Sequence, residues 1–309
     1  MINERLSWEK FGKIIGPRKD ISWMQSHVSS LGVLQIAPFF YELYITGRDI
    51  KNRSRIGKIG LTLSPNPFVT TPSALPVLDL GELGTFDESG TSYPCLVKNG
   101  SRIFMYYTGW TPTVKTPFQN HVGLAEKVGN KFKRVSRAPI LDRTNEEPFC
   151  TGSVFVMKES DYWSMWYTSF TKWEEDARGK ICHFYNIKYA RSLDGIDWVR
   201  NNQVCIDYST QNEFAICRPS VIFLNNVYHM LFCYRGESYK LGYAYSKDGV
   251  TDWIRDDKAL KISLSDSGFD SEEMCYPTVF KNHDFLYLAY SGNNFGNSGI
   301  GLARLRLKN

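Results

Sequence analysis

No run of about 18 apolar residues occurs in this chain, which excludes a hydrophobic membrane-crossing helix. The opening residues Met1 to Lys10 are charged and lack the apolar stretch of a secretory leader. No basic arm or block stands out. The net charge is +5, but Lys and Arg are spread along the length, so nothing argues for nucleic acid. The seven cysteines are odd in number and scattered, and none forms a Cys-x-x-Cys pair. This pattern reads as reduced thiols and speaks against a disulfide framework or a zinc site. The chain is therefore expected to be cytoplasmic, free of metal and cofactor, and a partner of neither membrane nor nucleic acid. Low-complexity tracts are missing, and no helical period of apolar residues persists. Aromatic residues, by contrast, are plentiful: 18 Tyr, 19 Phe and 8 Trp make up 15% of the 309 residues. Many fall in short strand-like runs, where a pleated, half-buried surface favours them.

Those runs repeat. An aromatic phrase ending in a small residue appears as Leu43-Tyr44-Ile45-Thr46-Gly47, Met105-Tyr106-Tyr107-Thr108-Gly109 and Met165-Trp166-Tyr167-Thr168-Ser169. It returns as Phe232-Cys233-Tyr234-Arg235-Gly236 and Leu288-Ala289-Tyr290-Ser291-Gly292, at intervals of about 60 residues. An apolar-Gly-apolar phrase follows at Gly60, Gly123, Gly242 and Gly301, while the third copy, Ile187-Lys188-Tyr189, lacks the glycine. Ahead of three copies stands Tyr93-Pro94, Arg218-Pro219 or Tyr276-Pro277, with proline where a strand begins. Asp194-Gly195 and Asp248-Gly249, each followed by a tryptophan, mark turns into outer strands.

Repeats of this length with room for four short strands predict an all-β five-bladed β-propeller of antiparallel strands. The last repeat runs out after three strands, and Trp8 to Ile15 reads like the fourth-strand segments beginning at Trp198 and Trp253. The N-terminal strand is therefore expected to complete the last blade and leave no long open edge. This makes residues 1–309 a single domain.

In such blades the loop entering the first strand and the loop from the second to the third strand share one face around a central mouth. Counting back from the strand-one prolines brings Glu88 and Glu213 to that face, with Glu147 equivalent in the third repeat and Glu272 or Glu273 in the fifth. The first repeat offers Ser26 and His27 there. Like charges converging on one cleft call for a function. The second-to-third loops add Arg48, Asp49, Arg55, Trp110, Trp173, Arg235, Glu237 and Asn294. Aromatic platforms, forked guanidiniums and amides suit hydroxyl-rich or anionic ligands. Ser92, Cys217 and Cys275, with Thr151 in the third repeat, read as small packing residues near a crowded axis.

The blade pattern resembles the five-bladed propeller enzymes of glycoside hydrolase families 43, 32, 62 and 130 across essentially the whole chain. The resemblance implies a carbohydrate-active protein with carboxylates at inner-strand starts, the place held here by Glu88, Glu147, Glu213, Glu272 and Glu273. Families 43 and 32 carry Asp directly before the strand-one proline, whereas these slots hold Tyr93, Arg218 and Tyr276. Arg218 is thereby counted among the substrate-binding candidates. One reading is hydrolysis or transfer at a glycosidic bond of a soluble, phosphate-linked or nucleotide-linked sugar. Glu273 or Glu272 would be the acid, and Glu213 or Glu88 the base. The other is a non-catalytic sugar-recognition or assembly propeller. Oligomeric state, sugar and linkage stay open.

Overall fold

The computed structural model describes residues 7–64 and 66–307. Their regular structure is almost entirely β. The strands are β1 (Glu9–Ile15), β2 (His27–Ala37), β3 (Phe40–Arg48), β4 (Ser54–Thr62), β5 (Phe68–Val69), β6 (Gly90–Asn99), β7 (Arg102–Thr111), β8 (Gln119–Val128) and β9 (Lys131–Arg134). They continue as β10 (Thr151–Lys158), β11 (Trp163–Glu175), β12 (Ile181–Ser192), β13 (Val199–Ile206), β14 (Ala215–Leu224), β15 (Val227–Arg235), β16 (Tyr239–Ser246) and β17 (Ile254–Arg255). The chain ends in β18 (Cys275–Asn282), β19 (Phe285–Ser291) and β20 (Ile300–Arg306).

Sequential strands pair antiparallel as meanders β2 to β5, β6 to β9, β10 to β13 and β14 to β17. The meander β18-β19-β20 takes its fourth strand from the other end of the chain, because β1 pairs antiparallel with β20. Single parallel pairs, Ser54 with Gly90 and Tyr185 with Ala215, link the first two meanders and the third to the fourth.

The second strand of each meander carries the aromatic phrase because both of its faces are covered. Met105, Tyr106 and Tyr107 of β7 are all fully buried, as are Met165 and Tyr167 of β11. A run apolar on successive residues is what such a strand needs, since its side chains alternate between two packed neighbours. Apolar clusters lie between successive meanders: Tyr44 with Met105, Tyr106 with Val154, Trp166 with Phe232, and Leu231 with Leu288. A further cluster joins Leu43 and Ile45 of the first meander to Tyr287 and Leu302 of the last.

The recurring glycine has a steric reason. Gly123 lies opposite Tyr107 and Gly301 opposite Tyr290. A Cβ on Gly123 would meet the Phe86 ring at 2.7 Å, and one on Gly301 the Phe269 ring at 2.4 Å. In the first meander the equivalent is Gly57, opposite Ile45, where an added Cβ would meet the Trp23 ring at 2.1 Å, rather than Gly60. The third meander has Lys188 opposite Tyr167, and its ammonium turns to Glu147 at 3.3 Å.

Candidate functional site

The first strands β2, β6, β10, β14 and β18 touch in cyclic order, β18 against β2 included. Each carries a bulge at the same place, and the bulged residue has a left-handed backbone: Ser30 (φ 31°), Tyr93 (52°), Ser153 (51°), Arg218 (56°) and Tyr276 (54°). None is glycine, so each conformation costs on the order of 1 kcal/mol or more, and the surroundings must enforce it. The amide of Tyr93 donates to Thr46 Oγ1 at 3.1 Å and that of Ser153 to Thr108 Oγ1 at 2.7 Å. The Ser30 amide donates to Ser291 Oγ at 3.1 Å, from the first meander to the last. A bulge re-aims the side chains on either side of the bulged residue. The residue before it is Ser29, Ser92, Gly152, Cys217 or Cys275, so Gly152 and not Thr151 is the third-repeat counterpart.

Above this centre lies a cavity of about 320 Å³. Tyr93, Tyr185, Tyr239 and Tyr276 form its floor, and the hydroxyls of Tyr185 and Tyr239 hydrogen-bond each other. Trp110, Phe118, Phe170 and Phe295 wall it, with His183 between them. Asn52, Asn120, Ser54 and Thr168 supply polar edges, and Arg48 and Arg235 supply charge. No Asp or Glu is among the described lining residues.

The acids anticipated at this mouth are engaged elsewhere. Glu147, 4% exposed, accepts the Tyr167 hydroxyl at 3.0 and 2.9 Å and the Ser169 hydroxyl at 2.6 Å, and it pairs with Lys188 at 3.3 Å and Arg200 at 3.2 Å. Burial opposes its ionisation, but these donors and cations hold its carboxyl below the ordinary range. Glu213 accepts two bonds from the Arg255 guanidinium, at 2.8 and 3.0 Å, and two from Ser209 at 2.9 Å. Burial opposes its charge as well, yet these bonds pull it down. Glu88 caps a turn, taking the Gly84 amide at 2.6 Å, while its neighbour Asp87 is the buried one. Asp87 accepts the Tyr107 hydroxyl at 2.9 Å and pairs with Arg134 at 2.7 Å. Asp270, rather than Glu272 or Glu273, is its counterpart in the fifth repeat, bonded to Tyr290 at 2.9 Å and Lys10 at 2.7 Å.

Three of these share one pattern: Asp87, Glu147 and Asp270, each in the loop before a first strand, are bound by a second-strand tyrosine and by a cation from the third or fourth strand. In the fourth repeat Glu213 keeps the cation, Arg255, but takes Ser209 in place of a tyrosine. In the first repeat Met24 and Ile45 occupy the corresponding places, an apolar pair without a carboxylate.

Glu273 differs. It is 7% exposed, and its Oε1 accepts the Phe295 amide at 3.2 Å, in a turn where Asn294 and Phe295 have φ of 53° and 57°. Burial pushes its carboxyl up, moderated by Cys275, the Phe295 amide and the Arg235 charge. Glu272 is exposed, and its amide, like that of Glu273, is bound by Asn293 Oδ1.

Of the remaining anticipated residues, Arg48, Trp110 and Arg235 line the cavity. Trp110 is fixed by Nε1 donating to Ser54 Oγ at 2.8 Å. Trp173 packs on Phe118 and Phe170 behind the wall. Asp49 does not pair with Arg48. It holds Arg53 in its own loop and Arg55 at the start of β4, each at 2.9 Å. His27 lies opposite Arg48 on β2 and bonds Ser26. Arg218, 3% exposed, donates to the carbonyls of Leu31 (2.7 Å), Pro94 (3.2 Å) and Tyr93 (3.3 Å), so it braces the centre from beneath. Glu237 and Asn294 are exposed at the rim and outside the lining. Phe118, Asn120, His183, Tyr185 and Tyr239 line the cavity without having been anticipated. They sit in or beside the third strands β8, β12 and β16, and reading the starts of those strands across the repeats is the signal that finds them. Among the described residues no cluster of three or more His, Cys, Asp or Glu is placed to hold a metal, and no helix is long and apolar enough to cross a membrane.

These sheets have the arrangement of the propeller glycosidases. A glycoside hydrolase superposes with a TM-score of 0.75 at 17% identity, covering 96% of this chain and 90% of that one. A thermostable family-43 glycoside hydrolase gives 0.64 at 16%, covering 90% and 88%. A protein of the family of mannoside phosphorylases and β-1,2-mannoside hydrolases, family 130, gives 0.67 at 13%, covering 98% and 95%. No protein-family model matches the chain. At the level of sequence it belongs to the family of two Mycobacterium tuberculosis proteins, the uncharacterized proteins MT1551 (strain CDC 1551 / Oshkosh) and Rv1502 (strain ATCC 25618 / H37Rv). Each is 35% identical over 301 residues, 97% of this chain and 99% of the relative.

Proposed function

We propose that this chain is a carbohydrate-binding protein, a single-domain, five-bladed propeller closed by β1, whose central cavity takes a sugar. The observation that carries the reading is the cavity itself: aromatic walls, hydroxyl and amide edges and about 320 Å³ of space. Concave, largely apolar sites of this order with a few convergent polar groups are where small ligands bind. The cyclic contact of the first strands and the cluster between the first and last meanders support a closed ring. The seven free thiols favour a reduced, cytoplasmic setting.

Recognition is favoured over hydrolysis by paired acids. Retaining and inverting mechanisms both need two carboxyl groups flanking the bond, about 5 to 10 Å apart. Here Glu147 and Glu213 are saturated by cations and hydroxyls, and Glu88 is bound into a turn. The catalytic reading survives in one form, with Glu273 as a lone acid, because its carboxyl is buried, raised, and bonded to the turn that carries Phe295. Isothermal titration against neutral mono- and oligosaccharides tests the binding role. Phe295→Ala and Trp110→Ala should each weaken any sugar that binds. A sugar whose affinity ignores both substitutions would place binding elsewhere and sink the proposal.

A further inference from the structure

Two arginines, Arg48 and Arg235, line the cavity, and no Asp or Glu is among its described lining residues. Arg235 lies among the rings of Phe214, Tyr239 and Phe295 at 5.6, 5.4 and 5.5 Å, and its Nε has no hydrogen-bond partner. Among the described residues the Arg48 side chain bonds only the neutral Asn52 side chain, Nη1 to Oδ1 at 3.1 Å. Neither forms an ion pair among the described residues, whereas Arg53, Arg55, Arg134, Arg200 and Arg255 all do. Beneath the floor, the Arg218 guanidinium is held by three carbonyls and lies over the Tyr93 ring at 5.8 Å, with no ion pair among the described residues.

Among the described residues Glu273 forms no ion pair with Arg235, and burial pushes its carboxyl toward the neutral form. The imidazoles report the same field. Burial first, then Arg235 and Lys180, push His183 down to about 4, and burial with Arg48 lowers His27. Three cations around a concave, aromatic, low-dielectric site focus a positive potential into it. The tyrosine floor adds hydroxyls that can donate to an oxygen anion.

We propose that the ligand is an anionic sugar, its phosphoryl or carboxylate group bound by Arg48 and Arg235 above the tyrosine floor. This rests on the carbohydrate reading of the same cavity and adds the class of sugar. The planar forks of two arginines match the oxygens of either anion, and the aromatic faces around Arg235 hold its plane in place before the ligand arrives. The sugar ring then stacks on the walls, and the anion sets its orientation.

Titration calorimetry with a hexose, its 1- and 6-phosphates, the matching hexuronate and inorganic phosphate tests this at low and high salt. An anionic sugar should bind at least about tenfold more tightly than its neutral parent, and salt should erode that margin. Arg48→Gln and Arg235→Gln should each remove the margin, with Arg235→Lys keeping part of it. Thermal midpoints confirm that these half-exposed, unpaired arginines were replaced without loss of fold. The phosphate and uronate arms decide which anion is meant.

If neutral and anionic sugars bind alike, or if the margin survives both glutamine variants, the anion proposal falls and the carbohydrate reading stands. If inorganic phosphate binds as tightly as any sugar phosphate and Phe295→Ala changes nothing, the arginine site stands and the sugar reading falls. Binding of none of the anionic sugars overturns the proposal.

Discussion

The hydroxyl of Tyr167 donates to both carboxylate oxygens of Glu147, at 3.0 and 2.9 Å, inside a site that also holds Ser169, Lys188 and Arg200. An acid that sequence spacing assigns to a mouth is thus the fastener between a blade's entry loop and its second and outer strands. Tyr167→Phe removes one neutral donor and should cost about 1–2 kcal/mol. Glu147→Ala strands two cations that are themselves largely buried and should cost about 3–5 kcal/mol. Urea unfolding of the two variants checks the order, and equal losses would contradict the ionic account.

The fasteners also set a pH dependence. Glu147, Glu213 and Asp270 have carboxyls held below their ordinary values, with burial opposed and overcome by hydrogen bonds and cations. A group whose pKa is lowered by folding contributes stability above its unfolded value, and that contribution is lost as pH falls through the folded value. Thermal midpoints should hold from neutrality to about pH 5 and fall steeply below about pH 4. In Glu147→Gln part of that acid-side slope should vanish.

Glu273 has the opposite sign. Burial raises its carboxyl, so ionising it near neutrality opposes folding. Glu273→Gln keeps an oxygen for the Phe295 amide, and its stability relative to wild type should be greater at pH 7 than at pH 4. If Glu273 is a lone catalytic acid, the same variant should lose about 10²- to 10⁴-fold in rate on any substrate found, with Glu272→Gln near wild type. Equal, small rate effects in both would end the catalytic reading.

A chain starting at Gly16 lacks β1. It loses the ladder to β20, the buried Trp8 and Ile15, and the 2.7 Å Lys10–Asp270 pair. Each buried apolar side chain is worth about 1.5–3 kcal/mol, so the thermal midpoint should drop by about 5 °C or more. An unchanged midpoint would show that β1 contributes nothing to the last blade.

All seven cysteines are free, and six are buried. The Cys217 and Cys233 sulfurs lie 3.4 Å apart without a bond, and burial pushes the Cys95 and Cys205 thiols up. Native protein should react with a thiol reagent first at Cys182, which is half-exposed. Denatured, unreduced protein should report seven thiols, and five or fewer would contradict the reduced, cytoplasmic reading.

What the sequence determined by itself was the repeat. Local phrases such as Met105 to Gly109 need only a strand covered on both faces, and that requirement is written in neighbouring residues. The match of Trp8–Ile15 to other outer strands likewise foretold the pairing of β1 with β20, because strand type and turn spacing are local properties. The partners of the charged residues were decided only in three dimensions. Glu147 and Glu213 stand at positions that could serve a mouth or a fastener, and the choice depends on Arg200 and Arg255, which lie many residues downstream. Arg48 and Arg235 look like other surface arginines until the fold withholds a carboxylate from each. Tyr185 and Tyr239 reach the cavity floor because the cyclic packing of first strands sets its radius, a quantity that no single repeat contains.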